Sequence, residues 1–410
     1  MVYIKPFICI RPNPQYVNVV SALPYDIYTQ AEAYEIVKNN PLSFLSIDRA
    51  ETHFALECNP YVDKVYAKAA SSLNDRIKNG VYIQEDHECL YLYELIMNGR
   101  SQTGIVGCAS VDDYLNGIIK KHEHTRPEKE IDRTKHIDVC NAHTGPIFLA
   151  YRSNKKLRKL LLTEKQNLPI YDFTTDDEIR HIVYRISNPT TIQYIQSFFS
   201  EMDCAYIADG HHRAAAAANV AIKRRKEQPN YTGDEEFNYF LSVFFSEEEL
   251  CIMDYNRVVK DLNGLTTEDF LSQLEEHFVI TPLEYVSHPT EKGSFTMLLE
   301  NKSYLCHVKP ELIPNDPVAS LDVSLLQNHL LTPVLSINNP REDARIDFVG
   351  GIRGLDELVK RCHNDCQAAF AMYPTSLQEL FAVADSGLLM PPKSTWFEPK
   401  LRSGIFIHKI

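Results

Sequence analysis

Short apolar runs along this chain alternate with polar breaks, and many of the breaks are prolines. The opening "IKPFICIRPNP" and "VVSALPYDIYT" read as strand-like pieces closed by proline turns. "QAEAYEIVKNNPLSFL" predicts a helix capped by Thr29 and ended before Pro41. "YVDKVYAKAASSLNDRIKNGVYI" is amphipathic at the helical period and should stop at Gly80. "CLYLYELIMNGRSQTGIVGCASV" predicts two strands joined at Asn98–Gly99, a pair suited to a tight hairpin. Strands are expected in "GPIFLAY", "DEIRHIVYRI", "FNYFLSVFFS" and "LCIMDYNRVV", and helices in "TTIQYIQSFFSE" and "TTEDFLSQLEEHF". Residues 265–320 read as a peripheral α+β insertion containing the hairpin "SFTMLLENKSYLCHVK". "RIDFVGGIRGLDELVKR" predicts strand, glycine turn and helix. After it come the helix "LQELFAVAD", a stop at Gly387 and an extended polar tail. The fold class is therefore mixed α/β.

With 410 residues the chain exceeds what one core usually serves. Hydrophobic residues make up 44% and charged residues 24%, an ordinary globular balance. The net charge of −13 argues against nucleic-acid binding by general electrostatics, though not against a small basic pocket. The first residues do not resemble a secretory signal, and no apolar run has membrane-spanning length. Ten cysteines without paired spacing suit reduced thiols, so a cytoplasmic location is expected. Cys362 and Cys366 share a helical face, but no second ligand pair accompanies them.

The strongest chemical signal is "YIADGHHRAAAAANV", residues 206–220. An apolar strand ends at Ala208, and an alanine-rich helix follows Arg213. The cluster Asp209, Gly210, His211, His212 and Arg213 thus sits on a strand-to-helix turn. Gly210 permits close backbone approach, the helix start offers unpaired N–H groups, and Arg213 adds a planar cation. Asp209 could hold Mg²⁺, steer an acceptor hydroxyl, or simply cap the helix. The histidines could equally pack or face water. No fold rule demands the combination, which favours an anion site.

"YIADGHHR" with its alanine helix resembles a bacterial family known only as a domain of unknown function. The likeness continues through "PYDIYT", "NPLSFL", "VYAKAA", "TGIVGCASVDDY", "KKHEHTRPEKEIDRTKHID", "TGPIFLAYR", "DFVGGIRG" and "MPPKSTWFEPKLRSG", nearly the whole chain. Its "DGHHR" is similar to a motif of the ParB/sulfiredoxin superfamily, especially of free serine kinases, which move a phosphoryl group from ADP or ATP to L-serine. The resemblance implies a ParB/sulfiredoxin-like core over residues 1–230, elaborated with additional helices. Residues 231–410 would form an α+β C-terminal part whose tail, 390–404, can return to the site. It also implies that the glycine–histidine–arginine turn binds nucleotide phosphate, that Asp209 serves the reacting phosphate or hydroxyl, and that an acid from another loop is the base.

Two segments offer further charge. "HEHTRPEKEIDR" reads as a charged loop or helix carrying Glu123, Glu128, Glu130 and Asp132 as candidate bases or Mg²⁺ ligands. Arg126, Lys129 and Arg133 are its candidate phosphate cations, with His122 beside them. Glu123, between two histidines, is the first choice for general base. The tail "MPPKSTWFEPKLRSG" offers Lys393, Ser394, Thr395 and Arg402 for phosphate or carboxylate, or else a surface strand closing the fold. The expected activity is a nucleotide-dependent phosphotransferase acting on a small hydroxylated metabolite, L-serine first, with ATP or ADP as donor and Mg²⁺ at Asp209. The alternatives are a non-catalytic nucleotide-binding regulator and, less favoured, a metal-dependent hydrolase using His122 and His124. Expected partners are small molecules, with no nucleic acid and no membrane.

Overall fold

A computed structural model describes residues 1–410. The chain forms two compact units. The first comprises 1–121, 125–250 and 399–410, and the second comprises 122–124 and 251–398. No helix is long and apolar enough to cross a membrane. All ten cysteines are free.

The first unit is built on a nine-stranded mixed sheet. Ile119–Lys120 lies at one edge, followed by Ala205–Asp209, Ile147–Tyr151, Tyr239–Ser246 and the long hairpin Arg100–Ser110/Leu90–Met97. Arg180–Ile186 and Tyr171–Thr174 complete the order, and Ile4–Lys5 also pairs with Arg100–Ser110. Two pairings are parallel: Ala205–Asp209 with Ile119–Lys120, and Tyr239–Ser246 with Ile147–Tyr151. The hairpin turns at Asn98 and Gly99, both at positive φ (51° and 78°), as expected for a turn matched to the strand twist. Strands buried on both faces are mostly apolar, with Glu94, His181 and Ser242 among the buried exceptions. Leu92, Ile105, Leu149, Ile207 and Phe244 form the heart of the core.

The helix His211–Glu227 explains its own alanines. Ala214, Ala217, Ala218 and Ala221 pack into the sheet core. On another side, Ala216 and Val220 meet Ile137 of a second helix, Pro127–Cys140. A helix confined on two sides needs small side chains, and alanine also favours the helical state.

That second helix lies where the pattern shows only charge. Pro127 occupies its first position, Glu128 and Glu130 fill its first turn, and Asn141 ends it with φ 50°. Its buried positions are Asp132, Arg133, His136, Ile137 and Cys140. A face whose buried residues include an ion pair and a histidine leaves little hydrophobic periodicity to read.

The tail is the second departure from expectation. Instead of an extended polar segment, Leu401, Ile405, Phe406 and Ile407 are fully buried in the first unit. This strap bridges Ser403 to Ala22 and Ile407 to Ile10, and then pairs His408 with His143. Gly404 (φ 83°) passes so close to Phe44 that a Cβ would sit 2.6 Å from its ring.

The second unit holds a six-stranded antiparallel sheet in the order Phe278–Leu283, Lys302–Val308, Ser294–Leu299, Ala368–Met372, Tyr255–Val259, Ile346–Gly350. The 294–308 hairpin forms as predicted, but it is not peripheral: Ser294–Leu299 pairs on both sides. The helix Gly354–Asn364 packs Leu358 against Val258, Leu298 and Val349.

Candidate functional site

Ala205–Asp209 and His211–Glu227 form the strand-to-helix turn read from the sequence. The strand register shifts between Ile207 and Asp209, a bulge that re-aims the last side chain. Gly210 has φ 96° and ψ 29°, a left-handed conformation that glycine adopts without penalty. The space a Cβ would fill there is taken by the Arg213 guanidinium, 3.1 Å away. Arg213 folds back over the turn, and its Nη1 donates to the Pro146 carbonyl.

Asp209 is held by Lys400 of the strap, whose Nζ lies 3.2 Å from Oδ2. Burial alone would raise the Asp209 carboxyl, but Lys400 and Arg213 outweigh it and hold the group well below the usual carboxylate range. His211 is buried, while His212 is half-buried. The Nε2 of His212 accepts the Arg126 backbone N–H at 3.0 Å, which requires a neutral ring protonated on Nδ1. Burial also pushes the His212 pKa down, against Asp26 and Glu130, which raise it.

A cavity of about 260 Å³ opens in the same unit. Tyr25, Asp26, Tyr28, Tyr66, Lys129 and Arg133 are among its walls. Tyr25 and Asp26 line the cavity and lie within electrostatic range of the turn: Arg213 acts on the Tyr25 hydroxyl, and Asp26 acts on His212. Arg133 is buried, paired with Asp132 at 2.8 Å, and lies 4.0 Å over the Tyr25 ring. Tyr66 donates to Asp132 Oδ1 at 2.9 Å. Arg402 is buried in the strap and turned to Asp177 and Thr175.

The remaining expected residues belong to the second unit. His122 is buried, and its carbonyl accepts the Met390 N–H at 2.8 Å. Glu123 is half-buried and His124 exposed. Lys393 is exposed at φ 60°, with Nζ 5.4 Å from the Tyr255 ring centre. Its carbonyl accepts from Arg257, whose pKa burial lowers to about 10. Ser394 is buried and donates to the Pro391 carbonyl at 2.7 Å, and Thr395 is half-buried.

No group of three His, Cys, Asp or Glu side chains assembles as a metal site, at His122–His124 or elsewhere. Asp209 already faces a lysine, so a resident Mg²⁺ does not fit there. In the sequence Lys400 stands out only as a further cation of the tail, with nothing to pair it with Asp209. The available signal was a cation two residues before Arg402, in a tail that resembles a site-closing segment. Tyr25 and Asp26 were visible only as part of "PYDIYT".

Residues 4–324 match the family described as "Protein of unknown function (DUF1015)". This chain belongs to that family. No curated protein matches it. Among solved structures, a free serine kinase (E30Q mutant) in complex with AMP is similar at 13% identity. The match covers 74% of this chain and 92% of that one, with a TM-score of 0.36. SbnI with a C-terminal truncation, from Staphylococcus aureus, is similar at 11% identity, over 72% of this chain and 82% of that one, with a TM-score of 0.36. A conserved hypothetical protein from Pyrococcus furiosus is similar at 14% identity, over 74% and 94%, with a TM-score of 0.34. At these scores the likenesses assign no activity to this chain.

Proposed function

We propose that the first unit of this DUF1015 protein binds nucleotide phosphates at the Gly210–Arg213 turn and transfers a phosphoryl group to a small hydroxylated metabolite, L-serine being the first acceptor to test. The observation that carries the reading is the left-handed Gly210 opening a 17-residue helix at a strand end, with Arg213 folded against it and Lys400 beside it. Helix N-termini attract anions through unpaired N–H groups and the helix dipole. Neutral His212 and buried His211 supply hydrogen-bonding rings at the same turn.

In the proposed reaction the acceptor oxygen forms a bond to the terminal phosphorus. The bond from that phosphorus to its bridging oxygen breaks, and the nucleotide leaves one phosphate shorter. The acceptor proton passes to a carboxylate. Within this unit Asp26 suits that role: it is exposed, lines the cavity and lies within electrostatic range of His212. Asp209, held far down by its cations, is a poor base and suits orienting positive charge. No step is routed through Mg²⁺. Glu123, Lys393, Ser394 and Thr395 have no part in the proposal.

The test is direct. Purified protein incubated with labelled ATP or ADP, Mg²⁺ and L-serine should yield phosphoserine, and Asp26→Asn should abolish turnover while nucleotide still binds. Nucleotide binding without acceptor-dependent turnover would sink the transferase reading and favour a nucleotide-binding regulator.

A further inference from the structure

The first unit contains one arrangement that phosphate binding does not use. His143 and His408 are both buried, and their rings stack at 5.6 Å with planes 12° apart. They occupy the paired positions that join the end of the strap to the short strand Ala142–His143. His408 Nε2 meets Glu236 Oε2 at 2.7 Å, and Lys5 meets the other oxygen of Glu236 at 2.6 Å. The Phe7 ring covers His408 edge-on. Nδ1 of His408 is buried with no protein partner. His143 is hydrogen-bonded to the Tyr239 backbone and feels the charge of Arg224.

This geometry tolerates two neutral rings and penalises two charged ones. A proton added to His408 Nδ1 would be a buried donor without an acceptor. A charge on His143 would face both His408 and Arg224. Glu236 can offset a charge on His408, whereas the charges acting on His143 are His408 and Arg224, with no carboxylate among them. Burial, foremost, pushes both imidazoles below their ordinary value.

We propose that the stacked His143–His408 pair is an acid-sensitive clasp that locks the C-terminal strap, and with it Lys400, into the first unit. The sign follows from linkage. The native rings are neutral, so the unfastened state binds more protons below the ordinary histidine pKa of about 6.5. Strap closure is complete above that pH and weakens below it, by about tenfold for each histidine per pH unit. Any consequence for nucleotide affinity rests on the phosphate-site reading; the clasp itself does not.

Hydrogen exchange of the full-length protein tests it, with rates corrected for the intrinsic effect of pH. Between pH 7.5 and 5.5, protection of the amides of Ser403, Ile407 and Ile410 should fall at least tenfold, while that of the strand Tyr239–Ser246 should fall less. His143→Phe, which keeps a ring without a titrating nitrogen, and His408→Gln should each flatten that dependence. Equal strap protection at both pH values in the wild type would overturn the clasp, even if neither variant folds. So would undiminished acid sensitivity in folded variants. ADP titrations of the same samples separate the two ideas: absent binding at pH 7.5 sinks the phosphate reading and leaves the clasp to the exchange data.

Discussion

Gly210 carries two constraints at once, a positive φ and a Cβ position already filled by Arg213. Gly210→Ala should therefore cost about 1–2 kcal/mol for the left-handed backbone, plus displacement of the guanidinium. Urea titration would measure the cost, and ADP affinity should fall with it. Asp209 makes a prediction in pH. Its folded pKa is depressed, so its stabilising contribution is present above the ordinary carboxylate range and is lost as pH falls through the lower, folded value. Comparing urea midpoints of the wild type and Asp209→Asn from pH 7 down to 3 should show a gap that holds steady to about pH 4 and then begins to narrow. A constant gap would mean that Lys400 and Arg213 do not hold the carboxylate. At this scale the turn was legible because its chemistry is local. Strand, acid, glycine, histidines and arginine are consecutive, and each has a distinct conformational or electrostatic use. Lys400 was not legible as the partner of Asp209, because 191 residues separate the two and no periodicity links them.

Among the elements, the strap and the Pro127–Cys140 helix show where pattern reading stops. The alanine helix, the Asn98–Gly99 hairpin and the Thr29 cap were readable from short-range rules, and Thr29 forms a full capping box with Glu32. The Pro127 helix buries Asp132, Arg133 and His136, so its inward face is polar and hides from a hydrophobic stripe. The strap "LRSGIFIH" has too few residues to show any period, and only its burial between distant segments makes it structural. Gly404→Ala should test that role, since the new methyl would overlap Phe44 at a positive φ. A loss of about 1–3 kcal/mol is expected, read as a lowered urea midpoint. An unchanged midpoint would mean the strap contributes little to the fold.

For the molecule as a whole, the two units carry separate stability signatures. In the second, Asp322 is buried and accepts the Gly293 N–H at 2.7 Å. Burial, foremost, lifts its pKa to about 7, with Glu379 adding to the lift and Lys292 opposing it. An acid raised in the folded state favours folding by its bound proton, an advantage complete below the ordinary carboxylate range and lost progressively as pH rises from there through about 7. Asp322→Asn keeps an acceptor for Gly293 and removes the buried charge. Its advantage over the wild type should grow as pH rises from 4 towards 7 and level off by pH 8, as measured by urea unfolding across that range. The net charge of −13 bears on the first unit in turn, because it makes any anion site a local exception that must be built from named cations. The measurement that reaches this claim most directly is calorimetric titration of the full-length protein with ADP and with adenosine, repeated on Lys400→Met. Phosphate recognition at the Gly210 turn predicts ADP binding, adenosine binding at least tenfold weaker, and a loss of at least tenfold in ADP affinity for Lys400→Met with adenosine unaffected. ADP and adenosine binding equally, or ADP affinity untouched by Lys400→Met, would contradict it.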